Sequence, residues 1–260
     1  MLTDCHTHLD QFHPQEIEDV ISRALGEDVR VIMVAGTTLQ SSEKCIELAR
    51  RFPEVLACVG LHPMNLNESV SNSDYSRLYD MGLGCSEVVS ISEIGLDFAY
   101  GPEDHFFQES VFRRQIEIAK ELKLPVICHS REAHDEVIRV LKDEHAWEIG
   151  GAIHYFQGNA AEALEILDLG FHISVAKPLL RLPDLQTVIK DVPLDRIVIE
   201  TDSYPQRFKS KREKWTEPKD VVLVAQKLAE IKGLSFDQVA SSTTENLRMI
   251  LRERPWSEKY

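Results

Sequence analysis

The chain has 260 residues, 43% of them apolar and 28% charged, with a formal net charge of −14. Length and apolar content suffice for a sizeable core. The acidic balance excludes a passive nucleic-acid coat, which would be basic, but leaves room for an enzyme that meets phosphates through metal ions and one local basic patch. Five scattered cysteines, Cys5, Cys45, Cys58, Cys85 and Cys128, form no CxxC pair; they are expected as reduced thiols in a reducing compartment. The chain enters strand-like sequence at once, without a basic-then-apolar signal region, and no apolar run approaches a membrane span. A cytoplasmic protein is expected, with no membrane and no protein partner.

The first strand-like run is "MLTDCHTHL" (1–9), followed by the amphipathic "PQEIEDVISRAL" (14–25). "VRVIMVAG" (29–36) precedes the helical "SSEKCIELARRF" (41–52), and "VLACVGLHP" (55–63) comes next. "VVSISEIGLD" (88–97) leads to "FFQESVFRRQIEIAKEL" (106–122) and "PVICHS" (125–130). "GGAIHYF" (150–156), "GFHISVA" (170–176) and "RIVIETDS" (196–203) complete the strands, and the helical "SFDQVASSTTENLRMIL" (235–251) follows them. Strands alternating with helices argue for a parallel sheet. Eight such units in about 250 residues are the usual size of a (β/α)₈ TIM barrel, with a doubly wound open sheet as the alternative. No long linker, low-complexity tract or composition break appears, so one domain over 1–260 is expected.

Reactive groups of such a barrel come from the C-terminal ends of its strands. Here the first strand ends in His6 and His8, the fourth in Glu93, the fifth in His129, the sixth in His154 and the eighth in Asp202. Side chains two apart in a strand share a face, so His6 and His8 reach one point if that face is inward. The same parity places Val89 and Ile91 below Glu93, Ile127 below His129 and Ala152 below His154. Four histidines and two carboxylates suit a divalent metal such as zinc, manganese or magnesium. Six ligands exceed what one catalytic zinc takes from protein and fit two ions sharing a carboxylate. Ions roughly 3.5–4 Å apart activate water and stabilise a leaving oxygen in hydrolysis. Glu93 is the expected bridge, with His6, His8 and Asp202 on one ion and His129 and His154 on the other. Asp202 is also placed to act as general base.

At this point the chain resembles the TatD family of metal-dependent deoxyribonucleases, within the amidohydrolase-like barrels. The matching stretches run in the family's order over nearly the whole chain: "DCHTHLD" (4–10), "VGLHP" (59–63), "SEIGLDF" (92–98), "FFQESVFRRQIEIAKELKLPVICHSREA" (106–133), "IHYFQG" (153–158), "IVIETDS" (197–203) and "TEPKDVVLVAQKLAEIKGLSFDQVASSTTENLRMIL" (216–251). The resemblance implies that His6, His8, Glu93, His129, His154 and Asp202 are metal ligands. It also implies phosphodiester hydrolysis in DNA, often as an exonuclease, with magnesium, manganese or zinc at two sites. The chain departs from the family's pattern at Ser92, where Gly is usual, at Tyr204 within "DSYP", at "HYFQG", and at Thr216 in place of Asn. Tyr155, Tyr204 and Thr216 line or neighbour the expected mouth and bear on substrate choice.

Further residues stand near that mouth. His62 ends the third strand and is a candidate to donate to a substrate phosphate or to brace a metal-bound carboxylate. Asp4 and Glu200 lie one step below His6 and Asp202; as buried carboxylates they need partners, and each is expected to orient a ligand or pair with a base. Asp97 and Arg131 flank strand ends and are candidates to position phosphate, the alternative being a loop salt bridge. The segment "RFKSKREKWTEPK" (207–219) carries Arg207, Lys209, Lys211, Arg212, Lys214 and Lys219, with Phe208 and Trp215 interleaved. Cations attract phosphate and aromatic faces stack on unpaired bases; the alternative is a solvated loop that caps the barrel. Lys209, Lys211 and Arg212 are the expected DNA contacts.

Three functions compete: a deoxyribonuclease working 3′ to 5′ with single strands preferred, an amide or ester hydrolase such as an aminoacyl-ester hydrolase or lactonase, and an idle barrel that only binds. Fold does not choose among them. Glu93 at the bridging place, with Lys177 on the seventh unit, favours the first, because amide and phosphotriester hydrolases of this type often bridge with a carboxylated lysine. A full set of converging polar groups, costly to bury, argues against the third.

Overall fold

A computed structural model describes residues 1–66, 69–99 and 105–252. Eight strands form one sheet in sequence order, every adjacent pair parallel: β1 (Leu2–Thr7), β2 (Val29–Ala35), β3 (Val55–Val59), β4 (Val88–Asp97), β5 (Val126–Arg131), β6 (Gly151–Ile153), β7 (His172–Val175) and β8 (Ile197–Ile199). A parallel bridge between Thr7 and Ser203 joins the first strand to the segment after the last, so the sheet closes into the expected (β/α)₈ barrel. The outer helices are α1 (Ile17–Gly26), α2 (Leu39–Arg51), α3 (Asn72–Gly84), α4 (His105–Leu122), α5 (His134–Asp143), α6 (Ala160–Asp168), α7 (Pro183–Asp191), α8 (Val221–Lys232) and α9 (Phe236–Leu251). Local chemistry starts several of them. Thr38, Ser71, Asn159 and Ser235 accept backbone N–H groups at the first turns of α2, α3, α6 and α9. Gly233 ends α8 in the left-handed conformation that a side chain would penalise.

Apolar residues form two layers. The outer one packs strand faces such as Val29, Ile32 and Val34 against the helices. The inner one fills the barrel with Cys5, Val31, Met33, Cys58, Val89, Ile127, Ala152 and Val198. Leu247, Ile250 and Leu251 of α9 join that inner layer. Asn246 of α9 donates to the carbonyls of Leu194 and Ile197 at the start of β8, and Thr244 to Met1 at the start of β1. The helix therefore seals the N-terminal end, and the C-terminal end is left as the open mouth.

Several strand ends and one parity differ from the sequence expectation. β1 stops at Thr7, β6 at Ile153 and β8 at Ile199, so His8, His154, Glu200 and Asp202 lie just past the ladder. Ile91 does not point inward. The β3–β4 register slips between Ala57/Val88 and Cys58/Ser90, which pairs Ile91 with Val59 in the outer layer. A second slip, between Ile91 and Ile94, brings Glu93 back to the interior. A third, between Asp4 and Thr7, sets Cys5 and His6 of β1 opposite Met33 alone. Each inserted residue breaks the simple alternation.

If α9 seals the barrel floor, Leu247→Ala should destabilise the protein by about 2–5 kcal/mol in urea unfolding, the range for a fully buried leucine. A loss below about 1 kcal/mol would mean that the inner layer does not depend on this plug.

Candidate metal centre

Glu93 is the hub of the mouth, with 3% of its surface exposed. Its two oxygens face different neighbours. Oε2 lies 3.4 Å from His6 Nε2 and 3.4 Å from His8 Nε2. Oε1 lies 2.7 Å from His154 Nε2, 2.8 Å from His129 Nδ1 and 3.3 Å from His62 Nε2. Asp202 Oδ1 stands 3.4 Å from His8 Nε2. Asp202 has a left-handed backbone, φ 49°, which turns its carboxylate over the mouth. That turn is held from β1: the Thr201 amide donates to Asp4 Oδ1 at 2.9 Å, and the Thr201 hydroxyl donates to the other Asp4 oxygen. Asp4 thus pairs with no base among the described residues: its oxygens are taken by the amide and hydroxyl of Thr201, just before Asp202.

A second set of groups stands at the ring nitrogens of His8, His129, His154 and His62 that face away from the cluster. His8 Nδ1 is 3.2 Å from the Ala35 carbonyl, which can only accept, so Nδ1 carries the proton and the Nε2 lone pair points into the site. Asp97 Oδ2, 2.9 Å from His129 Nε2, does the same for His129 and leaves Nδ1 inward. Asp97 thus stands behind a histidine rather than on the cleft wall. Glu200, fully buried, places Oε1 3.4 Å from His154 Nδ1 and accepts from the Tyr155 amide at 2.7 Å. His62 has the opposite arrangement. Its Nδ1 accepts from the Met64 amide at 3.0 Å, so the neutral ring carries its proton on Nε2, which faces His129 Nδ1 at 3.2 Å and Glu93 Oε1 at 3.3 Å. Of the two roles expected for His62, bracing the carboxylate matches this geometry.

Two observations test whether these residues fit a metal ion. His6 Nε2 is buried, aimed at the cluster, and has no hydrogen-bond partner among the described residues. Leaving such a nitrogen unpaired is costly, and a cation at that place would satisfy it. The donor set also matches: His6, His8 and Glu93, and likewise His6, His154 and Asp202, place single ligand atoms within 4.8 Å of one another. The electrostatics agree. Burial opposes ionising Glu93, yet His62, His154 and His129 hold it well below the ordinary carboxylate range. Burial likewise disfavours charge on His8, yet its bond to Asp202 and the nearby Glu93 lift it to about 9. A divalent ion bound here would compete with protons for these nitrogens.

The cluster opens into a cleft of about 1430 Å³. Lys209, Arg131, Tyr155, Tyr204 and Thr216 line it, as does Phe208, which is 75% exposed. Lys211 is exposed but lies outside the cleft lining. Arg212 is also outside it and is already engaged. Its Nε donates to Glu16 at 2.8 Å and a terminal nitrogen to Glu217 at 2.8 Å, with the guanidinium over the Phe12 and Trp215 rings at 5.4 and 4.6 Å. Arg212 ties the loop after β8 to the segment before α1, and Trp215 is part of that tie. Arg181 and Gln206 also line the cleft. No motif marks them; their place on the segments after β7 and β8 is the signal that locates them.

A (β/α)₈ barrel with imidazoles and carboxylates converging at its C-terminal mouth is the arrangement a metal-dependent hydrolase uses. Comparison with known proteins makes the class specific. The family profile "TatD related DNase" matches residues 3–252. The uncharacterized metal-dependent hydrolase YabD of Bacillus subtilis is 34% identical, over 97% of this chain and 99% of its own. Human deoxyribonuclease TATDN3 is 32% identical, over 94% of this chain and 92% of its own. The crystal structure of the TatD homologue YJJV from Escherichia coli superimposes with a TM-score of 0.86 at 28% identity, covering 96% of this chain and 97% of that one. The chain belongs to the TatD family of DNase-related hydrolases.

If Asp97 fixes His129 for a metal ion, Asp97→Asn should weaken divalent-metal affinity by about 10–100-fold in calorimetric titration, with the circular dichroism spectrum preserved. Unaltered affinity would assign Asp97 a structural role alone.

Proposed function

We propose that the chain hydrolyses phosphodiester bonds in DNA, working 3′ to 5′ with single strands preferred, at a site holding two divalent ions, magnesium, manganese or zinc. The observation that carries this reading is the division of Glu93: one oxygen faces His6 and His8, the other His129 and His154. A carboxylate placed between two imidazole pairs suits a bridge. Asp202, beside His8, completes the first group. Two ions held there would supply an activated water and charge stabilisation for the leaving oxygen.

The chain's own groups do the rest. Asp202 is the one carboxylate of the set that is part-exposed, at 20%, and it is positioned to take the proton of the attacking water. His62 sets its Nε2 3.3 Å from Glu93 Oε1 and 3.2 Å from His129 Nδ1, between the bridge and one of its imidazoles. Lys209 and Arg131 offer positive charge along the cleft, and Tyr155, Tyr204 and Phe208 offer faces for unpaired bases. Lys177, the lysine of the seventh unit, is held by Asp220 at 2.8 Å and Thr216 at 3.1 Å, which disfavours a lysine-bridged amide or ester hydrolase.

The test is a single-stranded oligodeoxynucleotide labelled at its 5′ end, incubated with manganese, magnesium or a chelator. A metal-dependent ladder that shortens from the unlabelled end is expected. Glu93→Ala, Asp202→Ala and His129→Ala should each abolish it while remaining folded by circular dichroism. Full activity in any of the three would refute the assignment of that residue. A metal-loaded protein that leaves DNA intact and cleaves an amide or carboxylic ester would replace this function with the second reading.

A further inference from the structure

The cleft does not end at the histidines. Its wall of Gln157, Gly158 and Asn159 is shared with a second cavity of about 360 Å³. The far side of that cavity is Leu182, Pro183, Leu185 and Val188, with Asp184 among them. Arg181 lines the large cleft and the next residue, Leu182, lines the small one, so the two spaces meet at this peptide. The turn that presents them is tied down. The amides of Arg181 and Leu182 both donate to the Pro178 carbonyl at 3.0 Å, and Gln186 donates to Leu179 at 2.8 Å. The shared wall is kept thin by Gly158, where a Cβ would come within 2.6 Å of the Phe156 ring.

Arg181 belongs to the minority of arginines among the described residues that hold no carboxylate. In a protein of net charge −14, most guanidinium groups are already spoken for. Arg23, Arg30, Arg77, Arg114 and Arg139 each hold a carboxylate at 2.6–2.7 Å. Arg181 is exposed and has no carboxylate partner among the described residues. A planar, permanently charged fork on a fixed turn suits a phosphate. A small, largely apolar cavity beside it suits a flat ring that must leave water.

We propose that this junction is a second nucleotide subsite: Arg181 binds the phosphate next to the one at the histidine cluster, and the Leu182–Val188 cavity takes the base attached to it. The proposal rests on the DNA-hydrolase reading and sharpens it, because a base can enter such a cavity only when unpaired and unstacked. Single-strand preference would then follow from the shape of the wall between α6 and α7. Asp184 at the rim is an acceptor suited to an exocyclic amino group.

Two measurements on the full chain test it. The first is binding of a short fluorescein-labelled single-stranded oligodeoxynucleotide, read by anisotropy in chelator across a salt series. The second is turnover with manganese, on the same oligonucleotide and on bis(4-nitrophenyl) phosphate, a phosphodiester with no neighbouring nucleotide. Arg181→Ala should weaken oligonucleotide binding by about tenfold and lower the slope of log affinity against log salt by about 0.7, the loss of one single-strand phosphate contact. Its kcat/KM on the oligonucleotide should fall through KM, with the small diester unaffected. Arg181→Lys should restore the salt slope, and Leu182→Asp should weaken binding without changing small-diester turnover. Equal losses on both substrates, or an unchanged salt slope in Arg181→Ala, would overturn the subsite. Arg181-dependent binding without cleavage by the wild type would instead overturn the hydrolase reading and leave the subsite standing.

Discussion

The mouth of this barrel is organised around one buried carboxylate. Glu93 is taken out of water and surrounded by five imidazoles, an environment that is tolerable only if the charge is matched and every lone pair has a partner. That requirement sets what the neighbouring strands must do. β1 must deliver two rings to one oxygen, β5 and the end of β6 two rings to the other, and β3 a donor. The slips in β1 and β4 are the means: without the extra residues His6 and Glu93 would not face the same space.

The groups behind the histidines carry as much of the design as the histidines themselves. Ala35, Asp97 and Glu200 each stand at the ring nitrogen that faces away from the cluster, and the Met64 amide claims the acceptor nitrogen of His62. The result is three rings, those of His8, His129 and His154, turned with one nitrogen inward, and one ring with an inward N–H. A distance criterion alone counts His62 with Glu93 and His129 as a possible ligand trio; the direction of its proton separates it from them. Hydrogen-bond polarity, not proximity, distinguishes the candidate ligands from the brace.

Much of this was legible in the sequence, and the remainder was not for identifiable reasons. β-Branched runs alternating with amphipathic stretches mark the barrel, and His6, His8, Glu93, His129, His154 and Asp202 are all marked by falling at strand ends. Ile91 was placed on the wrong face because parity assumes unbroken alternation, and a bulge is invisible to periodicity. The short β6 and β8 were overextended because a strand stops where its neighbour's ladder stops, which is a property of the pair. Arg212 looks like a free cation along the chain, but its partner Glu16 is 196 residues away. Charge density in sequence cannot tell an engaged guanidinium from an available one such as Arg181. The Ala35 carbonyl, which orients His8, leaves no side-chain signal at all.

The position of α9 has a consequence for how the protein comes into being. The helix follows all eight strands in the chain, yet it supplies Leu247, Ile250 and Leu251 to the inner layer and pins the starts of β1 and β8. During synthesis the strands emerge while the barrel still lacks its floor, and the inner apolar layer stays wet from below until α9 leaves the ribosome. The nascent chain is then a sheet with an unsealed interior, open to chaperones and to unwanted partners. Closure of the barrel floor therefore waits on a segment made after all eight strands, although His6 and His8 stand on the first of them.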